Sequence, residues 1–241
     1  MTAISGDRPS LLSGLIELVL PRACVGCGDL GTAWCPTCLR VDFDPVLHRP
    51  DPCPPGLPPL TTAATYSGSV RRAVLAAKER DRRELDRSLG AMLATAIGIL
   101  ITQPEWPSQF GQLWLVPVPA SRSALRERGR DHVSDWTRWT VRFLQAADIP
   151  ARSVTALRRT TAGLDSVGLA ADARAVNLRG AFSVGPVRRP PPDAMVVITD
   201  DIVTTGATLV AASTCLSAGL DLGLSQLGAV VVEATQRDRT P

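Results

Sequence analysis

The 241-residue sequence reads as an α/β chain in which a parallel sheet is flanked by helices and a small cysteine module precedes it. Three observations carry this reading. Apolar runs at 113–118, 196–199 and 228–233 have the length of strands covered on both faces. Segments of helical period lie between and before them, at 70–77, 89–101 and 132–146. Four of the six cysteines form two C-x-x-C pairs ahead of the helical segment at 70–77. A chain of this length can bury a good core and still carry an appendage.

In chain order, the first feature is an apolar stretch at 11–20. No basic run precedes it and no A-x-A site follows, so a short helix ended by Pro21 is expected rather than a signal peptide. No stretch approaches the roughly eighteen apolar residues of a membrane span, and a cytoplasmic location is the expectation. The pairs Cys24-Val-Gly-Cys27 and Cys35-Pro-Thr-Cys38 stand seven residues apart, which suits a tetrahedral zinc site. Four thiolates would close the coordination shell and make the site structural. Unligated or oxidised thiols are the weaker reading. His48 could substitute as a ligand, although Cys24, Cys27, Cys35 and Cys38 suffice. Cys53 lies in the proline-rich run 49–55, which reads as a linker, with the boundary near Leu60. This gives residues 1–60 as the N-terminal module and 61–241 as the main domain. Cys215 falls in a helix and reads as packing.

In the body of the chain, Val70, Val74 and Ala77 recur at helical spacing, and Leu89, Met92, Leu93, Ile97 and Leu100 share a broad face. The charged run 78–83 between these helices reads as a solvated turn. Of the 26 Lys+Arg, only Lys78 is lysine. It is either a chance survivor or a place where a compact ammonium is needed. The net charge of +3 does not by itself imply nucleic acid. The strand at 113–119 ends in two prolines, so it should finish in a loop at the sheet edge. Four arginines follow within 122–130, read as a basic loop. The helix at 132–146 directs Val133, Trp136, Thr140, Phe143 and Leu144 inward. Pro190, Pro191 and Pro192 lead into a further strand, and Gly219 closes the helix after it.

That last strand opens the most informative run, Val196-Val197-Ile198-Thr199-Asp200-Asp201-Ile202-Val203-Thr204-Thr205-Gly206-Ala207-Thr208. It reads as a buried strand, two carboxylates, a hydroxyl-rich loop and a helix. Backbone N–H groups of such a loop and the helix N-terminus attract a phosphate. The paired acids can grip a vicinal diol or a divalent metal beside it. A phosphorylated ribose combines these features. The plainer alternative is an Asp-rich turn with no ligand. No G-x-x-x-x-G-K-[ST] and no strand-linked G-x-G-x-x-G supports another nucleotide fold.

The run resembles the signature of type I phosphoribosyltransferases, with polar Thr199 where an apolar residue is commoner. The resemblance implies the fold of that superfamily and binding of 5-phosphoribosyl 1-diphosphate (PRPP) or another ribose 5-phosphate. Asp200 and Asp201 would hold the ribose hydroxyls. Val203, Thr204, Thr205, Gly206, Ala207 and Thr208 would surround the 5′-phosphate. The paired cysteines, Tyr66 with Lys78, Val116-Pro117-Val118-Pro119, Arg128-Gly129, Leu157-Arg158-Arg159, Arg174 and Asn177-Leu178-Arg179-Gly180-Ala181-Phe182 together resemble the ComF family, associated with competence for DNA uptake. The chain departs from that pattern at Asp131-His132, where Asn-Gln is common, and at Ser166-Val167 before Gly168-Leu169, where a Gln is common.

By this resemblance the chain would transfer phosphoribosyl groups in nucleotide or nucleoside metabolism, to an acceptor the sequence does not name. Mg²⁺ and basic groups would hold the leaving diphosphate, and Lys78, Arg126 and Arg128 are the candidates. The arginines read alternatively as a solvated loop. His132 is expected to cap a helix or lie on the surface. The competing reading is a non-enzymatic accessory of DNA uptake that binds DNA-processing proteins or single-stranded DNA. Aromatic residues that could stack bases are few, Trp139 being the one near the arginines.

Overall fold

Alternation along the apolar strands sorts their side chains onto two faces and fixes the layers. The computed structural model describes residues 22–65, 68–104, 106–160, 180–223 and 226–234. The expected helix at 11–20, Tyr66, the stretch 166–169, Arg174 and the stretch 177–179 lie outside the described residues.

The described residues open with the cysteine loop and helix α1 (Pro36–Asp42), then β1 (Val46–Leu47) and β2 (Leu60–Thr65). Helices α2 (Gly68–Glu79) and α3 (Asp86–Ile101) lead to β3 (Gln112–Pro117). Next come α4 (Arg122–Arg128), α5 (His132–Ala146) and the short strands β4 (Ala151–Ser153), β5 (Leu157–Arg159) and β6 (Phe182–Val184). The chain continues through β7 (Ala194–Val203), α6 (Ala207–Leu220) and β8 (Leu227–Ala234).

Six strands form one sheet in the order β1-β2-β8-β7-β3-β4. All its pairs are parallel except β1 with β2. Strands β5 and β6 make a separate antiparallel pair. On one face Leu113, Leu115, Met195, Val197, Val230 and Val232 pack against α2, α3 and α5. On the other, Trp114, Val116, Val196, Ile198, Ala229 and Val231 pack against α6 and the β5–β6 pair. Strands β3, β7 and β8 are thus buried on both faces, as their apolar composition requires.

Helices α3 and α5 approach closely at Gly90, where a Cβ would lie 2.4 Å from that of Trp139. Thr140 Oγ1 donates to the Gly90 carbonyl at 3.0 Å across this contact. The cysteine loop docks on α2. Ser69 Oγ donates to Cys38 O at 2.8 Å, Arg72 donates to the carbonyls of Val25 and Gly26, and Asp42 accepts from Ser69 N.

Three expectations change. The prolines after β3 do not mark a sheet edge, since β3 lies between β7 and β4. Strand β4 reaches only as far as Leu115, and the odd-numbered residues of β3 turn their peptide groups toward β4. The N–H that Pro117 lacks would therefore face past the end of β4, where no ladder bond is lost. The arginine-rich segment is a helix, α4, because Ser121 caps its start by accepting from Ala124 N and Gly129 ends it at φ 70°. Strand β7 does not stop before the acids but runs through them to Val203.

Candidate functional site

Strand β3 connects onward to β4 on one side, whereas β7 connects to β8 on the other. The order reverses between β3 and β7, and the carboxyl ends of parallel strands open a crevice at such a point. A cleft of about 430 Å³ lies there. Its floor is Asp200 and Asp201, its near rim is the loop after β3, and Lys78, Arg128, His132, Arg159 and Thr208 reach it from four helices and β5.

The two acids differ sharply. Asp201 is saturated: Oδ1 accepts from Ile202 N at 2.7 Å, and Oδ2 accepts from Lys78 Nζ at 2.5 Å with His132 Nε2 at 3.1 Å. Burial works against its charge, but the His132 and Lys78 contacts outweigh it and hold the carboxyl well below the usual carboxylate range. Asp200 Oδ1 accepts from Asp201 N at 2.9 Å, while its other oxygen has no hydrogen bond among the described residues. Burial, reinforced by the charge on Asp201, pushes Asp200 well above the usual range. The cleft floor thus presents one carboxylate held in its charged form by internal partners and one carboxyl whose burial favours its protonated form, with an oxygen unused among the described residues.

Lys78 stands in the last turn of α2, inside the run expected to be solvated. His132 is neither a cap nor a surface residue. Asp131 makes the cap, accepting from Ser134 N at 3.3 Å, and also accepts from Ala120 N at 3.2 Å, which ties α5 to the loop after β3. The imidazole is buried edge-on against Trp136. An ionised Asp201 only accepts, so His132 Nε2 carries the proton of that contact, and Nδ1 is buried without a partner.

The arginines of 122–130 are sorted by the fold. Arg122 and Arg126 are exposed, and Arg126 does not line the cleft. Arg128 lines it while bonding Glu79 at 2.8 Å. Arg130 is buried on Asp86 at 2.6 Å, where Trp136 Nε1 also donates at 2.8 Å, so its role is to hold α5 against α3. Trp139 is half-buried, with Arg142 4.5 Å and Arg87 5.8 Å from its ring centre.

Thr204 to Gly206 form the turn between β7 and α6, and Thr205 Oγ1 accepts from Ala207 N at 3.4 Å. Gly206 takes φ 77°, and an added Cβ would lie 3.1 Å from Leu57 Cδ1, so the turn needs glycine. Val203 is buried beneath it. Ala207 lines a different feature, an apolar groove of about 880 Å³ bounded by α6, β6 and Pro54–Pro55. Cys215, half-buried, lines the same groove.

Two further residues escaped sequence reasoning. Glu233, near the end of β8, is fully buried with neither oxygen hydrogen-bonded. Arg159 crosses from β5 to donate to Pro119 O at 2.8 Å, its guanidinium 5.2 Å from the Phe182 ring centre. The Leu157-Arg158-Arg159 triplet was a signal for Arg159, whereas Glu233 ends a run indistinguishable from other buried strands.

Away from the cleft, one ligand sulfur from each of Cys24, Cys27, Cys35 and Cys38 lies within 4.8 Å of the other three. Tetrahedral Zn–S bonds of about 2.3 Å place sulfurs about 3.8 Å apart, and Cys27 and Cys35 Sγ are separated by 3.8 Å. Backbone N–H groups of Gly26 and Cys35 donate to Cys24 Sγ. Burial opposes the thiolate, yet such backbone donors bring Cys24 down to about 6. The four cysteines could hold a metal such as zinc; His48 is not part of the cluster. Among the described residues, no helix is long and apolar enough to cross a membrane. No family model matches the chain, and no curated protein does.

Proposed function

We propose that the cleft binds PRPP or a related ribose 5-phosphate, and that the chain is a phosphoribosyltransferase of ComF type acting on an acceptor the sequence does not name. The observation that carries this reading is a cleft floored by Asp200 and Asp201, faced by Lys78 and Arg128 and reached by Thr208 in the first turn of α6, with the Gly206 turn joining the acids to that helix. The amides at the start of α6 suit a 5′-phosphate. The unused oxygen of Asp200 and the ionised Asp201 suit the ribose diol. Lys78 and Arg128 suit the diphosphate, whose negative charge grows as its bond to C1 breaks, while the Asp201 carboxylate favours the cationic sugar ring.

Among the described residues the cleft offers a single unpartnered carboxyl oxygen, which fits Mg²⁺ carried mainly by the ligand's diphosphate and water rather than by a protein cage. When bound, the ion would neutralise the leaving group. Calorimetric titration of PRPP with Mg²⁺ tests the proposal, beside the Asp200→Asn/Asp201→Asn double variant. Saturable, metal-dependent binding that the variant loses is expected. Absence of binding by the folded, zinc-replete wild type would overturn it.

A further inference from the structure

The three cationic side chains that line the cleft are not alike. Lys78 is neutralised by Asp201 and Arg128 by Glu79. Arg159 has no carboxylate partner among the described residues, and neither terminal nitrogen of its guanidinium makes a hydrogen bond there. Its position is nevertheless fixed. Nε donates to Pro119 O on the rim of the cleft, and the guanidinium carbon lies over the Phe182 ring, 5.2 Å from its centre. A guanidinium with its stem anchored and both terminal amino groups unused among the described residues is a preorganised fork for a carboxylate, and little side-chain freedom remains to be lost on binding.

The wall it stands on decides what it would meet. Phe182 and Leu157 belong to the layer on the α6 side of the sheet, whereas Lys78 and His132 project from the helices of the opposite layer. With the diphosphate assigned to Lys78 and Arg128, and the 5′-phosphate to the turn before α6, the wall carrying Arg159 is left for the group that attacks C1. We infer that the acceptor carries an anionic group, a carboxylate, bound by Arg159. This inference rests on the proposed ribose-phosphate reading and adds the acceptor's chemical class to it.

Benzoate and benzamide test it, because they share a shape and differ in charge. Both are titrated by ligand-observed NMR into the full chain with saturating PRPP and Mg²⁺, and again without PRPP. Wild type should bind benzoate about tenfold or more tightly than benzamide, the size expected of a charge-assisted fork. Arg159→Gln should lose that preference while its PRPP affinity stays within about twofold, and Arg159→Lys should keep part of it. Equal binding of the two probes by wild type, or no binding of either, overturns the inference without recourse to any variant. So does a loss of PRPP affinity of about tenfold in Arg159→Gln, which would assign the fork to the diphosphate. Benzoate preference in a wild type that binds no PRPP would support the anion site and overturn the ribose-phosphate reading instead.

Discussion

Raising the pH from 5 to 7.5 should draw down the contribution that Glu233 makes to the stability of the fold. Its side chain is fully buried and neither oxygen has a hydrogen-bond donor among the described residues. Burial, with the charge of Asp201 adding to it, pushes the carboxyl up to about 8, against the attraction of Arg71 and Lys78. The unfolded chain titrates this group near 4.5. Between those values the folded protein holds a proton that the unfolded chain has released. The favourable state is fully present below the lower pKa and is lost as pH rises to the upper one. Each pH unit in the window costs about 1.4 kcal/mol, so the interval from 5 to 7.5 costs about 3 kcal/mol, a large share of a domain's stability. Urea denaturation of wild type and Glu233→Gln at half-unit steps measures it. The amide keeps the shape and does not titrate. Its own unpaired groups shift the whole curve by a constant, so the informative quantity is the slope of the difference between the two proteins. Wild type should lose about 3 kcal/mol relative to the variant across the interval. A difference constant to within about 0.5 kcal/mol would refute a buried, neutral Glu233.

Two further outcomes test the frame around the cleft. Loading with Co²⁺ should show thiolate-to-metal absorption at one ion per chain, and Cys24→Ser should abolish it; because carbonyls of the loop hold Arg72 and Ser69, hydrogen exchange of amides in 68–79 should also accelerate by about tenfold or more in that variant, and unchanged exchange would separate the cysteine loop from α2. Gly90→Ala should destabilise by about 1–3 kcal/mol in thermal and urea unfolding, since its Cβ meets Trp139 Cβ at 2.4 Å and Trp136 O at 2.8 Å, whereas Gly98→Ala on the same helix meets nothing within 4 Å and should stabilise by about 0.5–1 kcal/mol.

Much of this architecture is written in short-range pattern. The helix at 132–146 has the bounds its period indicated, and the strands at β3, β7 and β8 follow from apolar runs too short for helices. What escaped is non-local or too brief for a period. Helix α4 spans seven residues, so periodicity has little to work on; the legible signals were its ends, Ser121 and Gly129. The division of labour among Arg126, Arg128 and Arg130 depends on where Glu79 and Asp86 fall in space, some fifty residues away in the chain. His132 meets Asp201 across 69 residues, and nothing local to Asp131-His132 announces that. The ordered array of short motifs located Lys78 and the acids in one chain; only the sheet order explains why they border a common cleft.

The asymmetry between the two acids bears on how such a cleft would engage its ligand. Adjacent carboxyls on a buried strand end cannot both ionise cheaply, and here the fold resolves the conflict by supplying cationic and imidazole partners to Asp201 alone. Asp201 and Glu79 then hold Lys78 and Arg128 in place while leaving them little net charge to offer. Under the ribose-phosphate reading, a diol that engages Asp201 competes with Lys78 for Oδ2 and releases the ammonium toward the diphosphate. Each half of the ligand would thereby strengthen the site for the other, so ribose 5-phosphate and diphosphate added as separate molecules should bind with positive coupling. Lys78→Met removes the link between the halves. The coupling measured by titrating one in the presence of the other should fall to about zero in that variant, even where affinity for ribose 5-phosphate alone is kept. Equal coupling in Lys78→Met and wild type would show that Lys78 serves only to hold Asp201 in place.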